Sequence, residues 1–169
     1  DFVYKCTKIT IQSISKVVFK NFHFDGAIEV ENSTVTFEDC ILQNMQTKMY
    51  CIFASKSSNI TFTNSKVIGS NYIGILVAED TKLNVTNCEF SNTENSCIFS
   101  SGSNQCTVSS SKFHDSKSNG IFVKEETSLY VDSCNFQRNG SASIYVDSNS
   151  KVEIKKCKFS ELKRPAITI

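Results

Sequence analysis

The sequence repeats itself every 23 residues, and that interval limits the fold more than any other feature. Leu83-x-Val85-x-x-Cys88-x-Phe90 is followed by Cys106-x-Val108-x-x-Ser111-x-Phe113, then Leu129-x-Val131-x-x-Cys134-x-Phe136, then Val152-x-Ile154-x-x-Cys157-x-Phe159. Going backwards, the same columns hold Ile60, Phe62, Ser65 and Val67, then Val35, Phe37, Cys40 and Leu42, and at a shorter spacing Val17, Phe19, Phe22 and Phe24. Each unit adds a third alternating pair after a polar connection: Ile9/Ile11, Ile28/Val30, Cys51/Phe53, Ile75/Val77, Cys97/Phe99, Ile121/Val123, Ile144/Val146 and Ile167/Ile169. Alternation puts one set of side chains on one face of an extended chain, so each unit reads as three short strands. No segment has helical periodicity.

A unit of this size cannot bury its apolar face alone. Stacked in register, the units bring every apolar column into one continuous core. The fold class is therefore all-β: a parallel β-helix of three-strand coils, about 23 residues per coil and about seven coils. Asn21, Asp39, Asn64, Asn87, Ser110 and Ser133 fall at one corner, where short polar side chains tolerate left-handed backbone and bond to nearby peptide groups. Thirteen Phe, six Gly and one Pro suit strands. Eighteen Lys plus Arg against 17 Asp plus Glu leave a net charge of +1, without the excess from which nucleic-acid or anionic-membrane binders draw affinity. No apolar run is long enough to cross a bilayer, so no membrane insertion is expected, and Asp1-Phe2-Val3-Tyr4 lacks the basic-then-apolar pattern of a secretory leader.

These units resemble the right-handed parallel β-helix repeats of the pectin-lyase-like superfamily, and the handedness is implied by that resemblance. Gly26-Ala27-Ile28-Glu29-Val30 and Phe136-Gln137-Arg138-Asn139 are similar to the GGA-I and FxxN repeats of polymorphic outer-membrane-protein-like surface proteins. The resemblance implies an extracellular or cell-surface setting. It also brings in polysaccharide processing, because many such helices cleave or eliminate acidic polysaccharides. The sequence opens and stops inside a coil without a cap, so residues 1–169 are expected to be a single β-helix segment of a larger protein.

The columns assign seven of the eight Cys to packing rather than to disulfides or metal. Cys40, Cys88, Cys134 and Cys157 share an inward column with Ser65 and Ser111, Cys51 and Cys97 share another, and Cys106 sits where Leu, Val or Ile sits elsewhere. Cys134 and Cys157 would lie in adjacent coils about 4.8 Å apart, but in-register side chains suit the disulfide dihedral poorly. No C-x-x-C spacing is present, and neither a metal nor a cofactor is expected. Four sequons, at Asn32, Asn59, Asn84 and Asn139, would suit a secreted chain, although a sequence this rich in Asn, Ser and Thr yields about that many by chance.

Function must be written in the outward rows between the core columns. The first, Val18, Thr36, Thr61, Asn84, Thr107, Tyr130 and Glu153, is an ordinary polar surface. The second, His23, Ile41, Lys66, Glu89, Lys112, Asn135 and Lys158, reads as a solvated mixed face, with an anion-binding track as the other reading. The third breaks the pattern. Ile52, Leu76, Ile98, Phe122 and Tyr145 are read as outward residues of five successive coils, a stripe roughly 20 Å long exposing on the order of 400 Å². A patch of that size calls for a cover: a neighbouring domain, a partner protein or second copy, or a carbohydrate laid along the helix.

Catalysis by such helices needs clustered carboxylates, as an acid and base pair or as Ca²⁺ ligands. Glu79/Asp80 and Glu125/Glu126 share a turn but stand two coils apart, about 10 Å, and read as solvated charges. His114-Asp115 reads as a surface turn, because adjacency does not place a base and its orienter face to face. No catalytic residue is assigned. The sequence thus points to a non-catalytic structural and interaction module, a rigid β-helix presenting its stripe to a protein partner or neighbouring domain. The alternative is a carbohydrate-binding or polysaccharide-processing β-helix acting through the side loops Gln43 to Tyr50 and Gly69 to Ile73.

Overall fold

The computed structural model describes residues 3–45, 47–147 and 149–169. The side loop Gln43 to Tyr50 therefore lies partly outside the described residues, at Gln46. Each coil contributes one short strand to each of three parallel ladders. The first ladder runs Val17–Lys20, Thr34–Glu38, Asn59–Thr63, Lys82–Thr86, Gln105–Ser109, Ser128–Asp132 and Lys151–Lys155. The second runs Ile41–Asn44, Lys66–Ser70, Glu89–Thr93, Lys112–His114, Asn135–Gln137 and Lys158–Ser160. The third runs Ile52–Ser55, Ile75–Ala78, Ile98–Ser101, Ile121–Lys124, Ile144–Val146 and Ile167–Thr168. The long strand His23–Glu31 starts the second ladder with its first half and the third with its second, and Tyr4–Gln12 pairs alongside it. No helix among the described residues is long and apolar enough to cross a membrane.

The repeat dictates the register. Ile60, Leu83, Cys106, Leu129 and Val152 are Cα partners in sequence, one per coil, each 23 residues after the last. Two coils depart from that step: Val17 pairs with Val35 and Val35 with Ile60. Identical columns bring identical side chains into contact. Phe90, Phe113, Phe136 and Phe159 stack with centroids 4.8, 4.9 and 5.2 Å apart and planes within 12°. Phe19, Phe37 and Phe62 form a second stack at 5.2 and 4.7 Å. Offset stacking lets each ring bury both faces at the strand spacing, so one residue type can fill a column indefinitely.

The corners work as the sequence implies. Asn21, Asp39, Asn64, Asn87, Ser110 and Ser133 have φ between 50° and 55°, and Lys156 continues the column at 50°. A second left-handed column, Gly69, Asn92, Asp115, Arg138 and Glu161, again steps by 23 and was not flagged by residue type. Buried polar groups line the bends between ladders. Cys40, Ser65, Cys88, Ser111, Cys134 and Cys157 each direct their side chain to the carbonyl two residues earlier, while Ser65 and Ser111 also accept a backbone N–H from Cys40 and Cys88. Ser65 and Ser111 therefore do more than fill space: they take the Cys40 and Cys88 N–H groups at the bend, while the carbonyls these side chains reach also accept a backbone N–H from the adjacent coil.

Candidate interaction surface

The third ladder corrects the stripe. Leu76, Phe122 and Tyr145 do point outward and are partly exposed, but Ile52 and Ile98 are fully buried, each 0% exposed. Ile28, Ile52, Ile75, Ile98, Ile121 and Ile144 form one inward column through successive pairings. The outward partners in those two coils are Phe53 and Phe99, so the row reads Glu29, Phe53, Leu76, Phe99, Phe122, Tyr145 and Thr168.

The error has a local cause. Cys51 and Cys97 are buried, like the strand residues, but they occupy the bend ahead of the strand, where the other coils place Gly74, Gly120 and Ser143. A Cβ on Gly74 would stand 2.5 Å from the Cys97 carbonyl oxygen, and one on Gly120 would stand 2.8 Å from that of Ser143, so the bend admits small side chains only. The inward residue two places after each Ile is Ala54 in one coil and Ser100 in the other. Ser100 tolerates burial because its hydroxyl lies 3.1 Å from that of Thr127 and accepts the Asn104 amide at 3.0 Å. With small or polar residues inside and Phe outside, apolarity alone selects the wrong alternation. The uninterrupted 23-residue step from Ile52 through Ile75, Ile98, Ile121 and Ile144 to Ile167 was the signal that decides it.

The corrected row is aromatic in four of its five large members. Phe99 meets Phe122 edge to face at 4.9 Å and 69°, and Phe122 meets Tyr145 likewise at 4.9 Å and 65°. Tyr50 tilts against Phe53 at 5.3 Å, and the Lys124 ammonium, paired with Glu125 at 2.8 Å, stands 6.0 Å from the Phe99 centroid. The row ends in charge at Glu29, which accepts the Tyr50 hydroxyl and pairs with Lys8 at 2.9 Å. The Tyr50 hydrogen bond first, and Lys8 second, hold the Glu29 carboxyl below its ordinary range.

The remaining candidates fall elsewhere. Glu79, Asp80, Glu125 and Glu126 sit in exposed left-handed turns, with Glu125 bonded to Ser101 and Lys124 and Glu126 to Ser103. Among the described residues no three His, Cys, Asp or Glu side chains converge as metal ligands. All eight thiols are free, and burial pushes Cys51 and Cys97 up to about 12 and Cys106 and Cys134 up to about 11. Such thiols stay protonated and are poor nucleophiles.

His114 and Asp115 do meet, against the sequence expectation. The left-handed φ of 58° at Asp115 swings its carboxylate back to 2.7 Å from His114 Nδ1. Glu89 stands 3.2 Å from Nε2 and pairs with Lys66 at 2.9 Å, while Arg138 donates to both Asp115 oxygens at 2.7 and 2.9 Å. Arg138 first, then His114, hold the Asp115 carboxyl far below its usual range. Beside this chain of charges lies a cavity of about 500 Å³ lined by Lys112, His114, Asn135, Gln137, Lys158 and Ser160. Both imidazole nitrogens are engaged by carboxylates, an arrangement that ties neighbouring coils together rather than freeing a base.

Parallel ladders, repeated corners and a lateral aromatic row define a β-solenoid. The sequence profile of the right handed beta helix region matches residues 50–169, and the chain belongs to that family. No curated protein matches it. Among solved structures it is similar to the A-module of mannuronan C-5 epimerase AlgE4 from Azotobacter vinelandii, with a TM-score of 0.59 at 10% identity. The match covers 95% of this chain and 62% of that module, less than two thirds of its length. Identity this low carries the fold and leaves the chemistry to this chain's own residues.

Proposed function

We propose that the chain is a non-catalytic structural and interaction module, a rigid right-handed β-helix that presents the row Phe53, Leu76, Phe99, Phe122 and Tyr145 to a partner protein or neighbouring domain. The observation that carries this reading is the persistence of large apolar side chains at the outward position of five successive coils, all partly exposed. Soluble surfaces commonly scatter such residues singly, whereas here they form one unbroken row. Partial burial reduces the free area to on the order of 200 Å², below the roughly 800 Å² that each partner contributes to a standard interface, so the flanking polar rim takes part in any protein contact. Leu76→Asp combined with Phe122→Asp tests it: association measured by light scattering or native mass spectrometry is lost while the β-type circular dichroism persists. Association that survives both substitutions refutes the proposal.

A second reading is favoured by the aromatic character of the corrected row. Rings presented side by side offer stacking faces to sugars, and the structurally similar module belongs to an enzyme named for acting on mannuronan. In this reading the row holds a glycan chain along the helix axis. Fluorescence titration with mannuronan, pectin and chitin oligomers separates the two, because saturable binding lost in Phe99→Ala and Phe122→Ala favours the glycan. Product release dependent on Glu79, His114 or Glu125 would make the module an enzyme.

A further inference from the structure

The fold divides the four sequons into two kinds. Asn32, Asn59 and Asn84 are exposed, whereas Asn139 is 0% exposed. Asn32 occupies a left-handed turn at φ 44°, just ahead of the strand Thr34–Glu38. Asn59 opens its strand, and Asn84 lies at the centre of Lys82–Thr86 with its side chain outward. All three belong to the first ladder on successive coils, since Thr34 pairs with Asn59, Asn59 with Lys82 and Thr61 with Asn84. Strand spacing and rise place neighbouring acceptors roughly 8 Å apart. None of the three side-chain amides is hydrogen-bonded among the described residues. In the two strand sequons the hydroxyl partners Thr61 and Thr86 face the same side as their Asn, as a two-residue period requires.

Asn139 is the opposite case. Its Oδ1 accepts the Ser116 backbone N–H at 3.3 Å and the Ser116 hydroxyl at 3.1 Å, while Nδ2 donates to the Phe113 carbonyl at 3.3 Å. A sugar on Nδ2 needs a path to solvent that this bend does not have, and it would strand buried peptide groups.

We infer that the first-ladder surface carrying Asn32, Asn59 and Asn84 is an N-glycan acceptor face, and that Asn139 is a sequon closed by folding. The transfer requires a lipid-linked oligosaccharide diphosphate. Nδ2 bonds to the anomeric carbon, the lipid diphosphate departs, and the displaced amide proton passes to the transferase. The acceptor face is built on a different ladder from the aromatic row, so sugars there leave the row uncovered. A chain modified at Asn139 before folding cannot seat that bend.

The chain directed through the secretory pathway of a eukaryotic host tests this, with bacterial cytosolic protein as the glycan-free reference. Intact mass and glycopeptide mapping, before and after peptide N-glycosidase, place glycan on at least two of Asn32, Asn59 and Asn84 and none on Asn139 in folded secreted material. Ser141→Ala removes the fourth sequon without touching the Asn139 amide. It raises the folded secreted yield several-fold in the eukaryotic host and leaves the bacterial yield unchanged. Glycan on Asn139 in folded protein, bare asparagines at all three exposed sites, or equal secreted yields with and without Ser141 overturns the inference.

Discussion

Asn87 and Asp115 show how much a single left-handed residue decides in this chain. Asn87 turns the corner at φ 54°, and its amide donates to the Asn64 side chain at 2.8 Å across the coil boundary. A β-branched side chain there clashes with its own backbone, so Asn87→Val is expected to lower stability by about 1–2 kcal/mol in urea unfolding, with Asn87→Gly costing much less. Asp115 uses the same conformation to reach His114 and Arg138. Its folded-state pKa is depressed, so its stabilisation is complete above the ordinary carboxylate value of about 4 and is lost as pH falls through the folded value, in strong acid. Arg138→Gln is therefore expected to destabilise the protein at neutral pH and to have no effect at the acid end of a pH series of thermal melts.

At the scale of strands and columns, burial separates otherwise similar aromatics. Phe113 is 0% exposed and stacked on both faces, at 4.8 and 4.9 Å. Phe113→Ala is expected to cost about 3–5 kcal/mol, measured by chemical denaturation, whereas Phe122→Ala in the outward row costs well under half of that. The apolar columns of the first two ladders were legible, because Leu83, Val85 and Phe90 stand out as apolar from coil to coil, whereas the buried polar column of Asn44, Ser70, Thr93, Ser116 and Asn139 was not. In the third ladder the inward pairs Ile28/Val30, Ile75/Val77, Ile121/Val123 and Ile144/Val146 were legible, and two coils were displaced by one residue. There the inward place goes to Ala54, which is small, or to Ser100, whose burial depends on Asn104 four residues on and on Thr127 in the next coil. The His114–Asp115 contact was hidden for a related reason: it needs a left-handed carboxylate at a corner that residue type does not announce, and only the spacing shared with Asn92, Arg138 and Glu161 reveals it.

For the whole molecule the repeat predicts tolerance to change in whole coils, and to smaller changes only at the bends between strands, as the 18- and 25-residue steps on either side of Val35 show. Removing residues 84–106 joins Leu83 to Thr107, and because Leu83 and Cys106 are equivalent partners every later column keeps its phase. The shortened chain is expected to remain folded, with a cooperative melt and an unchanged β-type spectrum. Removing residues 84–105 instead shifts the phase by one and turns Val108 and its column outward, and the product is expected to aggregate. The faces also divide the labour: the third ladder carries the aromatic row, and the first carries the exposed sequons.

Parallel pairing at a constant step has a metric consequence. Every group repeated on the outside is set at multiples of one strand spacing, about 4.8 Å, measured along a stiff axis. The protein is thus graduated like a ruler, and a partner that grips Phe53 and Tyr145 together reads a count of coils, so adding or deleting one coil would alter the reach between those grips by one division and leave each grip's own chemistry intact.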